Sequence, residues 1–364
     1  MATRRGALED VDVRFGSYRG RRVLVTGHTG FKGSWLALWL QSLGAEVTGV
    51  ALPPPTKPSH WELLRLGIRS ETLDLRDAAG VRALVASVRP DIVFHLAAQA
   101  LVRRSYADPL ETWSTNVQGT ANVLDACRGP HGPRAIVVAS SDKCYENREW
   151  AWPYRESDRL GGHDAYSASK AATELVAQSY RRAFFDARDS ALIATARAGN
   201  VVGGGDWSED RLVPDLVRSV ASGGTLGIRS PRATRPWQHV LEPLGGYLTL
   251  GERLFEGDRD AADAWNFGPD VADQLPVETI LERLSRHWPG LRWRVEPAAD
   301  RLHEAGLLSL DSAKARARLG WQPRWHADQA LAQTAAWYRA YLEDGRVISR
   351  EQLATYAELP AVAG

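Results

Sequence analysis

The run Val23-Leu24-Val25-Thr26-Gly27-His28-Thr29-Gly30-Phe31-Lys32-Gly33 constrains the fold more than any other part of the chain. Four apolar or β-branched residues read as a short strand, three glycines follow at intervals of three, and Trp35-Leu36-Ala37-Leu38-Trp39-Leu40 continues as an apolar helix. Strand, glycine turn and helix in that order form a cradle for an anion. Gly27 permits the tight turn, Gly30 lets backbone approach a pyrophosphate, and Gly33 lets the helix pack closely on the strand while its N-terminus presents free N–H groups. Gly27, Thr29, Gly30, Phe31, Lys32 and Gly33 are therefore expected to line a dinucleotide site.

The pattern continues beyond the cradle. Glu46 to Ala51, Glu71 to Leu73, Asp91 to His95, Arg134 to Ala139 and Ala191 to Ala196 read as further strands, separated by helix-length segments. Strands alternating with helices predict an α/β, Rossmann-like, doubly wound parallel sheet, with its ligand in the crevice beyond the strand C-terminal ends. A chain of 364 residues, 44% hydrophobic, is long enough for this domain and a smaller C-terminal substrate domain. The expected division is an N-terminal extension over 1–20, a dinucleotide domain over 21–199 to which 233–268 returns, and a substrate domain from 200–232 and 269–364. Pro53-Pro54-Pro55 and the charged stretch from Glu256 to Asp263 read as exposed turns. The formal net charge of +1 and the absence of a long basic run give no reason to expect nucleic acid. Two cysteines are too few for a disulfide scaffold, and no apolar run of membrane-spanning length occurs, so a cytoplasmic protein away from membranes is expected.

The chemistry-bearing residues fall at the same edge. Asp164 to Leu175 has helix-forming composition, which sets Tyr166 and Lys170 one turn apart on one face. A phenol titrates near ~10 in water and needs a positive field to act as a base at neutral pH, which a nearby lysine and an oxidised nicotinamide supply. Ser141 would bond the substrate hydroxyl, or else satisfy backbone at the strand end. Asn116 would hold water or backbone near the lysine, or else be a satisfied buried amide. Asp142-Lys143, directly after the fifth strand, places an acid beside an amine. Hydride transfer needs no such neighbours, so the pair points to elimination of water. No metal is expected.

These motifs together resemble the nucleotide-sugar 4,6-dehydratases of the extended short-chain dehydrogenase/reductase superfamily, and within them the CDP-glucose group. The resemblance runs from Arg22 to about Trp325. It is carried by the glycine loop through Trp35, His95-Leu96-Ala97-Ala98-Gln99, Ser141-Asp142-Lys143-Cys144-Tyr145, Asn147-Arg148-Glu149-Trp150, Arg197 to Val201 with Gly203-Gly204-Gly205-Asp206-Trp207, and Arg235-Pro236-Trp237-Gln238-His239-Val240. Most dTDP-glucose dehydratases carry Asp-Glu where this chain has Asp142-Lys143, and epimerase-type relatives lack the pair.

The resemblance implies a redox-neutral hydro-lyase of deoxysugar biosynthesis: hydride leaves C4, water is lost across C5–C6, and hydride returns to C6. It implies catalytic roles for Ser141, Asp142, Lys143, Tyr166 and Lys170, with Lys143 as the C5 base or as an ammonium that stabilises the enolate. It adds Asp74, Leu75, Leu96, Ala97, Ala98 and Asn116 to the cofactor residues, and gives Arg104, Ser105, Asn200, Arg211 and Arg235 to the nucleotide sugar. Arg211 and Arg235 each have a surface ion pair as their other reading. NAD is the implied cofactor, with NADP open because the second strand ends without an acid and Lys32 is near in sequence. The resemblance also implies a homodimer, through helices that begin near Asp108 and Asp164. A dehydratase of another nucleotide-hexose, or an epimerase or reductase on the same fold, is the alternative.

Overall fold

The structure, a computed structural model, describes residues 13–296 and 306–359. β1 (Arg22–Thr26), β2 (Glu46–Ala51), β3 (Arg69–Thr72), β4 (Ile92–His95), β5 (Ala135–Ala139) and β6 (Leu192–Ala198) form one sheet with a seventh strand, Ala264–Phe267. All neighbours are parallel, in the spatial order 264–267, β6, β5, β4, β1, β2, β3. Strand order reverses between β1 and β4, and the crevice that opens there is where such sheets bind ligands.

The helices are α1 (Phe31–Ser42), α2 (His60–Leu64), α3 (Ala78–Val88), α4 (Val102–Ala107), α5 (Pro109–Trp113), α6 (Gly119–Ala126), α7 (Ala165–Ala183), α8 (Leu212–Ala221) and α9 (Leu241–Glu256), with four more after residue 276. They cover both faces of the sheet, which explains why its strands are continuously apolar. Val23, Val25, Ile92, Phe94, Ala135 and Val137 pack with α1 and α9, whereas Leu24, Val93, Ile136 and Val138 pack with α3, α6 and α7. Trp35 to Leu40 are all buried, as a helix apolar all round requires.

Small departures from the sequence reading have local causes. β3 begins at Arg69 because it pairs with β2 from Thr48↔Arg69 to Ala51↔Thr72, and β6 runs to Ala198 because Asn266 and Phe267 pair with Arg197 and Ala198. Residues 13–18 are not a loose extension. They form a 3-10 turn whose Phe15 and Tyr18 enter the core, and the Tyr18 hydroxyl donates to the Leu248 carbonyl at 2.7 Å. Residues 1–12 of that expected extension lie outside the described residues. After β6 the chain leaves the sheet for α8 and short strands, then returns through α9 and the strand 264–267. Among the described residues no helix is long and apolar enough to cross a membrane.

Candidate active site

A cavity of about 860 Å³ runs along the C-terminal edge of the sheet, from the glycine loop and the end of β3 to the residues after β5 and then to α8. Gly27 sits at φ +76°, and a Cβ there would meet the Ala97 backbone nitrogen at 2.7 Å. A Cβ on Gly33 would lie 2.1 Å from the Gly27 carbonyl oxygen, so α1 rests directly on the turn. No side chain caps α1 at Gly30, which leaves its first N–H groups to the cavity. Thr29 donates to the Leu52 carbonyl at 2.9 Å and ties the loop to the end of β2. Phe31, Asp74, Leu75, Leu96, Ala97 and Ala98 line the same cavity, and Arg76 grips Asp74 and keeps its carboxyl below the usual range.

Lys32 does not go where its sequence position suggested. The end of β2, where a 2'-phosphate would sit, lies on one side of β1, whereas the Lys32 ammonium turns the other way and lies 3.4 Å from the Tyr247 hydroxyl on α9. Burial lowers its pKa to about 7, Arg211 and Lys170 push the same way, and Asp142 opposes them.

Ser141, Asp142, Lys143, Tyr166 and Lys170 converge on the cavity. Asp164 caps α7, accepting from the Ser167 N–H at 2.9 Å, and so fixes the helix start two residues before Tyr166. Burial pushes the Tyr166 phenol up to about 12, against the influence of the neighbouring Ser141 hydroxyl and Arg211 guanidinium. Burial lowers Lys170 to about 8, with Glu174 opposing the shift. Ser141 donates to Asp142 Oδ1 at 3.0 Å and accepts from the Lys143 N–H at 3.2 Å. Asp142 is 3% exposed, and burial raises its carboxyl pKa despite Lys143, Ser141, Arg235 and Lys32. Its Oδ2 is buried with no hydrogen-bond partner among the described residues. A carboxyl group whose pKa is raised, held beside a phenol and an amine, is suited to deliver a proton to a leaving hydroxyl.

The remaining expected residues divide. Asn200, Arg211 and Arg235 line the cavity. Arg211 is held by Asp206 at 3.0 Å, and Arg235 donates to the Thr234 carbonyl at 3.0 Å. Arg104 reaches the rim but is forked onto Glu111 at 2.6 and 2.7 Å, which takes its guanidinium away from the sugar. Ser105 turns away from the cavity, and its hydroxyl donates to the Val102 carbonyl at 2.7 Å within the helix. Asn116 also stays out. It accepts from the Gln99 N–H at 2.8 Å and donates to Ser169 Oγ at 2.9 Å, so it ties the β4 loop to α7 beside Lys170.

Sequence reasoning missed the buried pair Arg197–Glu174, 2.8 Å apart, which fastens α7 to β6 one turn beyond Lys170. It also missed His95, which burial holds neutral with a pKa of about 3 and which bridges Thr26 and Thr120 at 2.8 and 2.9 Å beneath the loop. The i, i+4 spacing of Lys170 and Glu174 was the available signal for the first; nothing local signalled the second.

Residues 23–266 match the NAD dependent epimerase/dehydratase family. The chain belongs to that family. It is 45% identical over 348 residues to the CDP-glucose 4,6-dehydratase of Salmonella typhimurium, covering 93% of this chain and 97% of that one. An epimerase from Methanothermobacter thermautotrophicus superposes with a TM-score of 0.80 at 24% identity, covering 93% and 96% of the two chains, and shares the fold. A dTDP-glucose 4,6-dehydratase from Streptomyces venezuelae, solved with NAD bound, superposes with a TM-score of 0.73 at 27% identity, covering 87% and 97%. In this family member the cradle, the Tyr166–Lys170 helix and the Asp142–Lys143 pair share one cavity.

Proposed function

We propose that the chain is a CDP-glucose 4,6-dehydratase that uses NAD. The observation that carries the reading is Asp142, buried with a raised pKa and an unpartnered oxygen, in the same cavity as Lys143, Tyr166 and Lys170. The likeness to the Salmonella enzyme over nearly the whole of both chains supports CDP-glucose as substrate. The uncapped start of α1, the glycine turn and Asp74 fit a dinucleotide, and Lys32 turned toward Tyr247 takes away the cation that the sequence offered for a 2'-phosphate, which favours NAD over NADP.

NAD held by the glycine turn and Asp74 would supply a hydride acceptor for C4 and a hydride source for C6. Tyr166, as phenolate, takes the C4 hydroxyl proton; burial opposes that form and the positive charge of Arg211 favours it, as does a positive charge on Lys170 one helical turn away. The C4 ketone acidifies the C5 hydrogen, and Lys143 removes it. Asp142, whose pKa burial raises, delivers its proton to the C6 hydroxyl as the C–O bond breaks. Asn200, Arg211 and Arg235 hold the nucleotide diphosphate end, for which guanidinium groups are suited by paired hydrogen bonds.

The same reading includes a homodimer and a cytoplasmic setting. α4, α5 and α7 touch one another, and Leu110 and Leu175 stand 78% and 54% exposed on them, with Trp113 beside Leu110 in α5. Val123, Leu124 and Ala171 on neighbouring helix faces are buried within the subunit and lie outside such a surface. Cys127 and Cys144 are buried free thiols, as a reducing compartment permits. Incubation with CDP-, dTDP-, GDP- and UDP-glucose, followed by mass spectrometry, tests the function. Loss of water from CDP-glucose without consumption of NADH is expected, and a product that keeps its C6 hydroxyl refutes dehydration.

A further inference from the structure

Beyond Arg211 and Arg235 the cavity continues along the first turn of α8 to the short strand Leu226–Ile228, which packs against that helix. Leu212, Pro214, Leu226, Ile228 and Trp237 line this end, and an apolar wall with few polar groups suits the faces of a base. With the diphosphate at the two arginines and the hexose at Asp142, this is the part of the cavity left for the base. Asp206, Asp210 and Asp215 line the same arm. Two of them are engaged elsewhere: Asp206 holds Arg211 at 3.0 Å, and Asp210 faces Arg103 of α4 at 3.4 Å.

Asp215 is placed differently. Its N–H donates to the Arg211 carbonyl at 2.9 Å, so it stands one helical turn after that arginine, about 5 Å farther along α8. Its Oδ1 accepts from Arg218. Arg218 is itself fixed, because it donates to the Trp207 carbonyl at 2.8 Å and to the Ser208 carbonyl at 3.0 Å. No other hydrogen bond from the described residues reaches the Asp215 carboxylate, and its side chain is 34% exposed. Oδ2 is thus an acceptor at the edge of the cavity, held in place by an anchored partner.

We propose that Asp215 selects the base, its carboxylate accepting a hydrogen bond from the exocyclic amino group of cytosine. The inference rests on the CDP-glucose reading above and assigns that preference to a residue. Cytosine carries an amino group at C4, where uracil and thymine carry a carbonyl oxygen. A carboxylate attracts the first and repels the other two, so one side chain both rewards the right base and penalises the wrong ones. Asp215 acts on binding and touches no reacting atom; the hexose carbons lie at the other side of the two arginines, by Asp142 and Tyr166.

The test measures equilibrium binding of CDP and of UDP to the NAD-loaded enzyme by calorimetry, beside the kinetics of CDP-glucose turnover. The wild type is expected to bind CDP at least about 10-fold more tightly than UDP, within the usual range for one base-edge contact. Asp215→Asn is expected to keep the contact with Arg218 through its carbonyl oxygen and to turn its amide N–H groups toward the base. CDP should then weaken by about 10-fold or more and UDP should gain, so that the preference reverses. For CDP-glucose the same variant should raise KM and leave kcat near the wild-type value. If Asp215→Asn proves unstable, Asp215→Ala makes the comparison, and the two nucleotides should bind it alike. The selection role is overturned if Asp215→Asn weakens CDP and UDP equally or leaves the wild-type preference unchanged, since the carboxylate then serves only to hold Arg218. A wild type that dehydrates dTDP-glucose but not CDP-glucose is a separate outcome and overturns the CDP-glucose reading itself.

Discussion

Replacement of Arg197 by methionine tests what holds the catalytic helix in place. Arg197 on β6 and Glu174 on α7 are 2.8 Å apart with side chains 4% and 3% exposed, and Glu174 stands one turn beyond Lys170. Arg197 also donates to the Tyr145 hydroxyl at 2.8 Å and to the Glu156 carbonyl at 3.1 Å. Despite burial, Arg197 holds the Glu174 carboxyl below its ordinary pKa. Arg197→Met leaves that buried carboxylate with the Thr195 hydroxyl, 2.7 Å away, as its remaining donor among the described residues. Removal of one partner of a buried pair costs about 3–5 kcal/mol. Glu174→Leu alone should cost a similar amount, because it leaves the guanidinium unpaired. The double variant removes both charges and leaves mainly the Thr195 hydroxyl unsatisfied, a loss of about 1–3 kcal/mol. Urea unfolding followed by tryptophan fluorescence should therefore give a double-variant cost well below the sum of the singles. A single-variant cost under about 1 kcal/mol, or simple additivity, would refute the argument that the pair is a desolvated, mutually dependent anchor.

Other expectations follow from the same geometry. Gly33→Ala places a Cβ 2.1 Å from the Gly27 carbonyl oxygen, and backbone on both sides prevents easy relief; NAD affinity measured by equilibrium binding should fall at least ~10-fold, or about 1.4 kcal/mol, with the helical circular dichroism retained. An unchanged affinity would mean that the turn is not the pyrophosphate cradle. Tyr166→Phe should suppress both reduced cofactor and product by ~100-fold or more, whereas Lys143→Met should still form reduced cofactor but lose exchange of the C5 hydrogen with heavy water. Normal exchange in Lys143→Met would remove Lys143 from both of its candidate roles. Leu110→Glu with Leu175→Glu puts charge on the exposed face of α5 and α7, and sedimentation should show a monomer where the wild type is a dimer; a wild type that sediments only as a monomer rules out the dimer.

The residues that could be read from sequence are those whose position depends only on the local chain. The β1 turn places Gly27, Gly30 and Gly33 by strand geometry and helix period, and Tyr166 and Lys170 share a helix face because they are one turn apart. Lys32 lines the cavity but lies away from the end of β2, because neighbouring side chains at a helix start point in different directions and only the packing of α9 against the sheet decides that its ammonium meets Tyr247. Ser105 and Asn116 failed to reach the cavity for a related reason: each finds a nearer partner, in Val102 and in Gln99 with Ser169. Phe15 and Tyr18 looked like part of a polar leader because two aromatic residues produce no period, yet Tyr18 reaches Leu248, 230 residues away. Arg211 shows the limit most clearly. Its charge suited a diphosphate, but the fold sets it between Asp206 and Tyr166, where it also acts on the phenol that must ionise. Such a residue can bind substrate and favour the base through one charge, and that coupling exists only once α8 is folded over the sheet edge.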